Sequence, residues 1–153
     1  MLPSHGRGIW PRDVLKKVSR GLSRVEAGNP GFPRLVQVTS GCLLLRPNKV
    51  MGMDDPENPT IIEDLIRALG AEAVVYARRN ECCGGYISVE SPESARRNAS
   101  AIIENAKAAG AEMIITACPL CKYNLEKCGA DIPVVYFTEL LAEALGVKED
   151  TNA

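Results

Sequence analysis

One unit, repeated three times, restricts this chain more than anything else in it: glycine, alanine and an acid, followed by an apolar run. Gly70-Ala71-Glu72 leads into Ala73-Val74-Val75-Tyr76-Ala77, and Gly110-Ala111-Glu112 into Met113-Ile114-Ile115-Thr116-Ala117. Gly129-Ala130-Asp131 leads into Pro133-Val134-Val135-Tyr136-Phe137. Each glycine reads as the left-handed residue that ends a helix, and each apolar run as a fully buried strand. Pro133 fits such a strand only as its first residue. With Leu35-Val36-Gln37-Val38-Thr39 as a further strand, the count is four, alternating with helices. That alternation predicts an α/β fold with a mostly parallel sheet and flanking helices.

The helices carry start signals. Asn58-Pro59-Thr60, with Glu63 three residues after Thr60, reads as a capping box opening a helix with the stripe Ile61, Ile62, Leu65, Ile66 and Leu69. Ser91-Pro92-Glu93 opens another, with Ala95, Ala99, Ile102, Ile103 and Ala106 facing inward. Thr138 is expected to cap a last helix through Leu140, Leu141, Ala144 and Leu145, ending at Gly146. Residues 1–34 read differently: they hold seven Lys/Arg against two acids, whereas residues 35–153 hold eleven against seventeen. Val14, Leu15, Val18, Leu22 and Val25 could form a basic amphipathic helix, which Pro11, Gly21, Pro30 and Pro33 weaken. The expected division is a basic, poorly ordered or helical arm over 1–34 and one domain over 35–148. No apolar run is long enough for a membrane span, and the N-terminus lacks the apolar stretch of a signal peptide, so a cytoplasmic location is expected. Neither a membrane span nor a nucleic-acid partner is expected.

Six cysteines stand in this chain, none before position 42. Disulfide frameworks spread their staples, whereas these thiols bunch, which favours a metal or redox site in a reducing compartment. Laid on the expected scaffold, Cys42 follows the first strand, Cys82 and Cys83 the second, and Cys118 the third, with Cys121 one helical turn further on. In a parallel sheet the strand ends share one pole, where ligands gather. Five convergent thiols exceed the four places of a zinc ion, and adjacent side chains such as Cys82 and Cys83 diverge, which suits a larger cluster. Gly84-Gly85 lets the backbone hug a bulky group. A closed Cys₄ zinc site and a Cys118–Cys121 redox dithiol are the rival readings. Cys128, seven residues beyond Cys121, reads as a small buried apolar residue. His5, the sole histidine, lies in the arm; Asp54, Asp55 and Glu57 read as a solvated turn. Arg78-Arg79 and Arg96-Arg97 read as solvated pairs, the first near enough to Cys82 to attract an anionic substrate.

The spacing Cys42, Cys82-Cys83-Gly84, Cys118-x-x-Cys121 resembles the cysteine-rich CCG domain, and most of all the CCG-bearing subunit family of CoB–CoM heterodisulfide reductases. Gly41-Cys42-Leu43-Leu44-Leu45-Arg46-Pro47, Leu69-Gly70-Ala71-Glu72 and Ala117-Cys118-Pro119-Leu120-Cys121 carry the same likeness over about residues 35–146. So does Asp54-Asp55-Pro56-Glu57-Asn58-Pro59-Thr60, a stretch that points away from the CCG domains of succinate, glycolate and glycerol-phosphate oxidoreductases. The resemblance implies a noncubane 4Fe-4S iron-sulfur cluster held by Cys42, Cys82, Cys83, Cys118 and Cys121, with Gly84 and Pro119 beside it. It implies reduction of a thiol/disulfide substrate of the CoM-S-S-CoB type within a complex containing iron-sulfur and flavin subunits. Full-length members carry two such motifs and this chain carries one, so a non-catalytic electron carrier, an assembly module or a fragment lacking the first repeat is the alternative.

Overall fold

The computed structural model describes residues 35–147, and Lys16 apart from them; the expected arm over 1–34 and its helix therefore lie outside the described residues. Within 35–147, four strands form one parallel sheet: β1 (Leu35–Thr39), β2 (Glu72–Val74), β3 (Met113–Thr116) and β4 (Val134–Tyr136), in the order β2-β1-β3-β4. Six helices accompany them there: α1 (Cys42–Leu45), α2 (Asn48–Met51), α3 (Ile61–Ala68), α4 (Pro92–Ala108), α5 (Pro119–Lys127) and α6 (Phe137–Ala144). The parallel α/β architecture expected from the repeats is the one found.

Strand order explains where a site can form. The chain leaves β1 for β2 on one side, then crosses back to β3 on the other, so β1 and β3 are neighbours whose ends lead in opposite directions. Such a switch point leaves a crevice beyond the carboxyl ends of the two strands. Both strands are central and buried, whereas β2 and β4 are short edge strands.

Each face of the sheet has its own core. On one, Val36, Val38 and Ile115 pack with Ile62, Leu65, Ile66 and Leu69 from the α3 region and Leu140 of α6. On the other, Ile114 and Val134 meet Ala99, Ile102, Ile103 and Ala106 of α4, Leu125 of α5, and the side chains of Cys83 and Cys121. The α3 and α4 stripes are those the apolar spacing predicts. The helix-ending glycines also behave as expected: Gly70 and Gly110 have φ of 96° and 79°. After them Ala71 N–H donates to Ile66 O at 3.3 Å and Ala111 N–H to Ala106 O at 3.1 Å, closing the last turn of each helix. Gln37 is wholly buried in β1, and nothing in the fold accounts for its amide lacking a hydrogen-bond partner.

Four local expectations are corrected. The second strand stops at Val74 rather than Ala77, leaving Val75 exposed, because the end of β1 turns to the following segment: Ser40 N–H donates to Arg79 O at 3.1 Å. Helix α3 has no Thr60 side-chain cap; instead Asp54 Oδ2 accepts from both Thr60 N–H and Ile61 N–H at 2.7 Å. A carboxylate there meets two free N–H groups and the positive end of the helix dipole. Thr138 does not cap α6 either, since β4 runs directly into that helix at Phe137, and Leu145 stands just past its end, exposed. Residues 42–51, where no element was expected, contain α1 and α2.

Neither core needs a metal to bury its apolar surface. With no metal bound, amides of β1 and β3 should stay protected in hydrogen exchange while segments 41–58 and 78–91 exchange faster. Replacing wholly buried Ile66 by alanine should cost about 2–5 kcal/mol in chemical unfolding of the same metal-free chain.

Candidate metal centre

Cys42 lies three residues beyond β1 and begins α1, after Gly41 at φ 78°. A β-carbon at Gly41 would sit 3.3 Å from Cys118 Cβ and 3.8 Å from Cys121 Sγ, so the two strand ends approach as closely as glycine permits. Cys118 occupies the position before α5, Pro119 the first turn and Cys121 the next face of that turn. Pro119 lacks an N–H where a helix leaves it unused, which suits this start. The thiols of Cys118 and Cys121 thus stand at the positive end of the α5 dipole. Cys82 and Cys83 arrive on an irregular segment that follows β2 and ends in a short 3₁₀ turn, Gly85–Ile87.

These three segments meet. One cavity, about 230 Å³ including its open mouth, is lined by Cys42, Cys82, Cys83, Cys118 and Cys121 together with Leu43, Tyr86 and Leu120. Among the described residues no three His, Cys, Asp or Glu side chains gather closely enough to hold a single metal ion.

The sulfurs also constrain one another. Burial and a hydrogen bond with Cys82 push the Cys42 thiol up to about 11. Cys83 is drawn down to about 6, first by a hydrogen bond from Cys121, and further by the Gly85 N–H and Asn124. Cys121 is correspondingly raised, by its bond to Cys83, by burial and by Cys118. The hydrogen bond between them thus favours the thiolate at Cys83 and the thiol at Cys121. Gathering more thiolates here without a cation would add like charges in a half-buried site, so the donor set fits a positively charged, sulfur-seeking group. Backbone donors are already aimed at the sulfurs: Gly84 N–H lies 3.4 Å from Cys82 Sγ and Gly85 N–H 3.4 Å from Cys83 Sγ. Hydrogen bonds of this kind tune the potential of iron–sulfur clusters.

The two glycines have separate reasons. A β-carbon on Gly84, at φ 81°, would fall 2.8 Å from Ala95 Cα, so its bareness serves packing against α4. On Gly85 it would strike Leu120 Cγ at 2.7 Å and approach Cys83 Sγ at 3.4 Å, inside the cavity wall. Leu120, which Gly85 packs against, lines the cavity, between the Pro119 and Cys121 positions of the same turn. Asn124 went unread in the sequence: its Nδ2 donates to Cys83 O at 2.6 Å from the inward face of α5. Cys128 closes α5, packs at the edge of the second core half-buried, and stands away from the cavity lining. All six cysteines are free.

The arginine pair is corrected for one member. Arg78 is half-exposed and paired with Glu81 at 2.6 Å, as a solvated residue can be, while Arg79 is buried, its Nε 3.1 Å from Glu63 Oε1. Arg79 therefore offers no free cation to an anionic substrate. Asp55 does form the turn expected of it, accepting from Glu57 N–H at 2.9 Å.

Comparison with known proteins agrees with this pole of thiols: the cysteine-rich domain family CCG matches residues 36–126, well over half of the chain. The chain belongs to the CCG family. This CCG chain is 34% identical over 145 residues to the membrane anchor subunit of an 8-methylmenaquinol:fumarate reductase from Wolinella succinogenes, covering 88% of the chain and 48% of that protein. It is also 34% identical over 127 residues to a subunit of a ferredoxin:CoB-CoM heterodisulfide reductase from Methanosarcina mazei, covering 72% of the chain and 41% of that protein. A protein from Archaeoglobus profundus, named for its likeness to the same heterodisulfide reductase subunit, is 33% identical over 132 residues, with 77% and 44% covered. The chain therefore spans less than half the length of these relatives. Its likeness reaches a fumarate reductase subunit as well as heterodisulfide reductases, a breadth that the Asp54–Pro59 stretch did not foretell. Both are oxidoreductases. Among the described residues no helix is long and apolar enough to cross a membrane.

In the metal-free CCG chain, ultraviolet thiolate absorbance should rise by one thiol as pH passes about 6, and Cys83→Ser should remove that step. Because the folded value lies below the unfolded one, Cys83 adds stability as pH rises from that value toward the ordinary thiol range. The raised value of Cys121 reverses the trend above it.

Proposed function

We propose that Cys42, Cys82, Cys83, Cys118 and Cys121 together hold one noncubane 4Fe-4S iron-sulfur cluster, and that the chain is a redox subunit acting on a thiol/disulfide substrate of the CoM-S-S-CoB type. The observation that carries this reading is the single cavity lined by five thiols from three strand ends, two of them adjacent in sequence. A bound cluster would supply one-electron transfer and an iron within reach of a substrate sulfur.

The chain's own residues would do the rest. Cys83 and Cys121, set in the second core, form the floor, and exposed Cys82 lies nearer the mouth. Leu43 and Tyr86, 50% and 65% exposed, make an apolar rim through which a sulfur-bearing arm could pass. With Arg79 buried against Glu63, a charged end of a substrate would be met by groups other than this side chain. Electrons would come from iron-sulfur and flavin partner subunits, as the likeness to the heterodisulfide reductase subunit suggests. Six free thiols suit a reducing compartment such as the cytoplasm.

A second reading is favoured by the fumarate reductase relative, which covers the larger share of this chain. Here the same five thiols would hold a cluster that only relays electrons. The two readings separate on access to sulfur. Anaerobically reconstituted protein should contain about four irons and matching acid-labile sulfide per chain, as one four-iron cluster requires. On oxidation, small alkyl thiols should change its electron paramagnetic resonance signal. A full cluster whose signal ignores thiols supports the relay; a chain that takes up no iron ends both readings.

A further inference from the structure

Cys42 and Cys118 reach the pole with little help, since each follows a central strand within three residues. Cys82 and Cys83 do not. β2 ends at Val74, so residues 75–81, without helix or strand, separate the sheet from the first of these thiols. A segment of this kind is free to wander unless something non-local holds it.

What holds it centres on Arg79. Its Nε lies 3.1 Å from Glu63 Oε1, and its Nη2 donates to Asn58 Oδ1. Its carbonyl accepts from Ser40 N–H at the end of β1. Glu63, in the first turn of α3, is only 3% exposed, and Arg79 itself 9%. The next residue repeats the attachment, with Asn80 Nδ2 donating to Pro56 O at 2.8 Å. The 78–80 turn is thereby fastened to the segment before α3, and that segment is itself pinned by the Asp54 carboxylate. Burying two opposite charges is a poor way to gain stability compared with an apolar pair, but it does select one register for the segments that carry them. The planar guanidinium forms an ion pair with Glu63 at Nε, without hydrogen-bond alignment there, and donates to Asn58 from Nη2, a combination that a lysine cannot reproduce.

We propose that Arg79, gripped by Glu63 and Asn58, is a positioning residue that presents Cys82 and Cys83 to the thiol pole before any cluster is bound. Its consequence for a cluster rests on the reading given under Proposed function; its effect on the turn does not.

The test uses the full chain. In metal-free protein, the rate of Cys83 alkylation by iodoacetamide is compared with that of Cys118 and Cys128 by peptide mass spectrometry, in wild type, Arg79→Met, Arg79→Lys, Asn58→Ala and Arg78→Met. Cys83 is 2% exposed, so its labelling reports opening of the turn. Arg79→Met should speed it by about tenfold or more, with Cys118 and Cys128 unchanged. Asn58→Ala, which leaves the Arg79–Glu63 pair intact, should give a smaller rise in the same direction and decides the question if Arg79→Met does not fold. Arg79→Lys keeps a counter-charge for Glu63, so its unfolding midpoint should stay near wild type while Cys83 labelling still rises. Arg78→Met should match wild type. After reconstitution, Arg79→Lys should also show an altered paramagnetic resonance line shape. The proposal is overturned if Cys83 keeps its protection in the Arg79 and Asn58 variants, or if all three thiols accelerate together. Wild-type protein that takes up no iron would remove the cluster reading alone, because the labelling decides the positioning role without metal.

Discussion

The parallel pairing of β1 with β3 is the contact on which the cysteine pole depends. Its register sets Thr39 opposite Thr116, so the two chains leave the sheet side by side, and Gly41 lets them remain close enough for Cys42 and the Cys118–Cys121 turn to share a cavity. Were β1 paired with β2 and β4 instead, these thiols would lie strands apart. Because both strands are buried on both faces, the pole stands on the stiffest part of the sheet, as suits a site that must hold several thiols in one geometry.

Against that rigid half stands a loosely built one. Cys82 and Cys83 come from the far side of an edge strand, and their place is secured by side chains rather than by ladder hydrogen bonds. Tyr76 bonds Thr39 at 2.6 Å, Arg79 meets Glu63, Asn80 meets Pro56, and Asn124 holds the Cys83 carbonyl. The cavity is thus half framework and half tether. Thiols that repel one another when ionised are kept together by bonds elsewhere in the chain, which leaves the sulfurs themselves available to a ligand.

How much of this could be read beforehand follows the range of the interactions. The strands, the α3 and α4 stripes and the convergence of five thiols were legible, because each depends on local periodicity or on the fixed polarity of a parallel sheet. The Asp54 cap was not, since nothing local distinguishes a carboxylate seven residues before a helix from the Thr60–Glu63 pair at its start. Arg79 looked like half of a solvated pair; only the fold shows Glu63 turned inward to meet it. Gly84 and Gly85 look alike in sequence, yet one yields to Ala95 and the other to Leu120, a difference made by two helices distant along the chain. The early end of β2 likewise reflects competition from Ser40 for the Arg79 carbonyl, a contact between segments some 40 residues apart.

The central claim is that five thiols, and not the sixth, form one metal centre on a core that stands without it. Iron content after anaerobic reconstitution, measured for each cysteine changed singly to serine, tests this most directly. Loss of most of the iron on changing Cys42, Cys82, Cys83, Cys118 or Cys121, with wild-type content in Cys128→Ser and a native-like circular dichroism spectrum throughout, is the predicted result. Loss of iron in Cys128→Ser, or full retention when Cys82 and Cys83 are changed together, would contradict it.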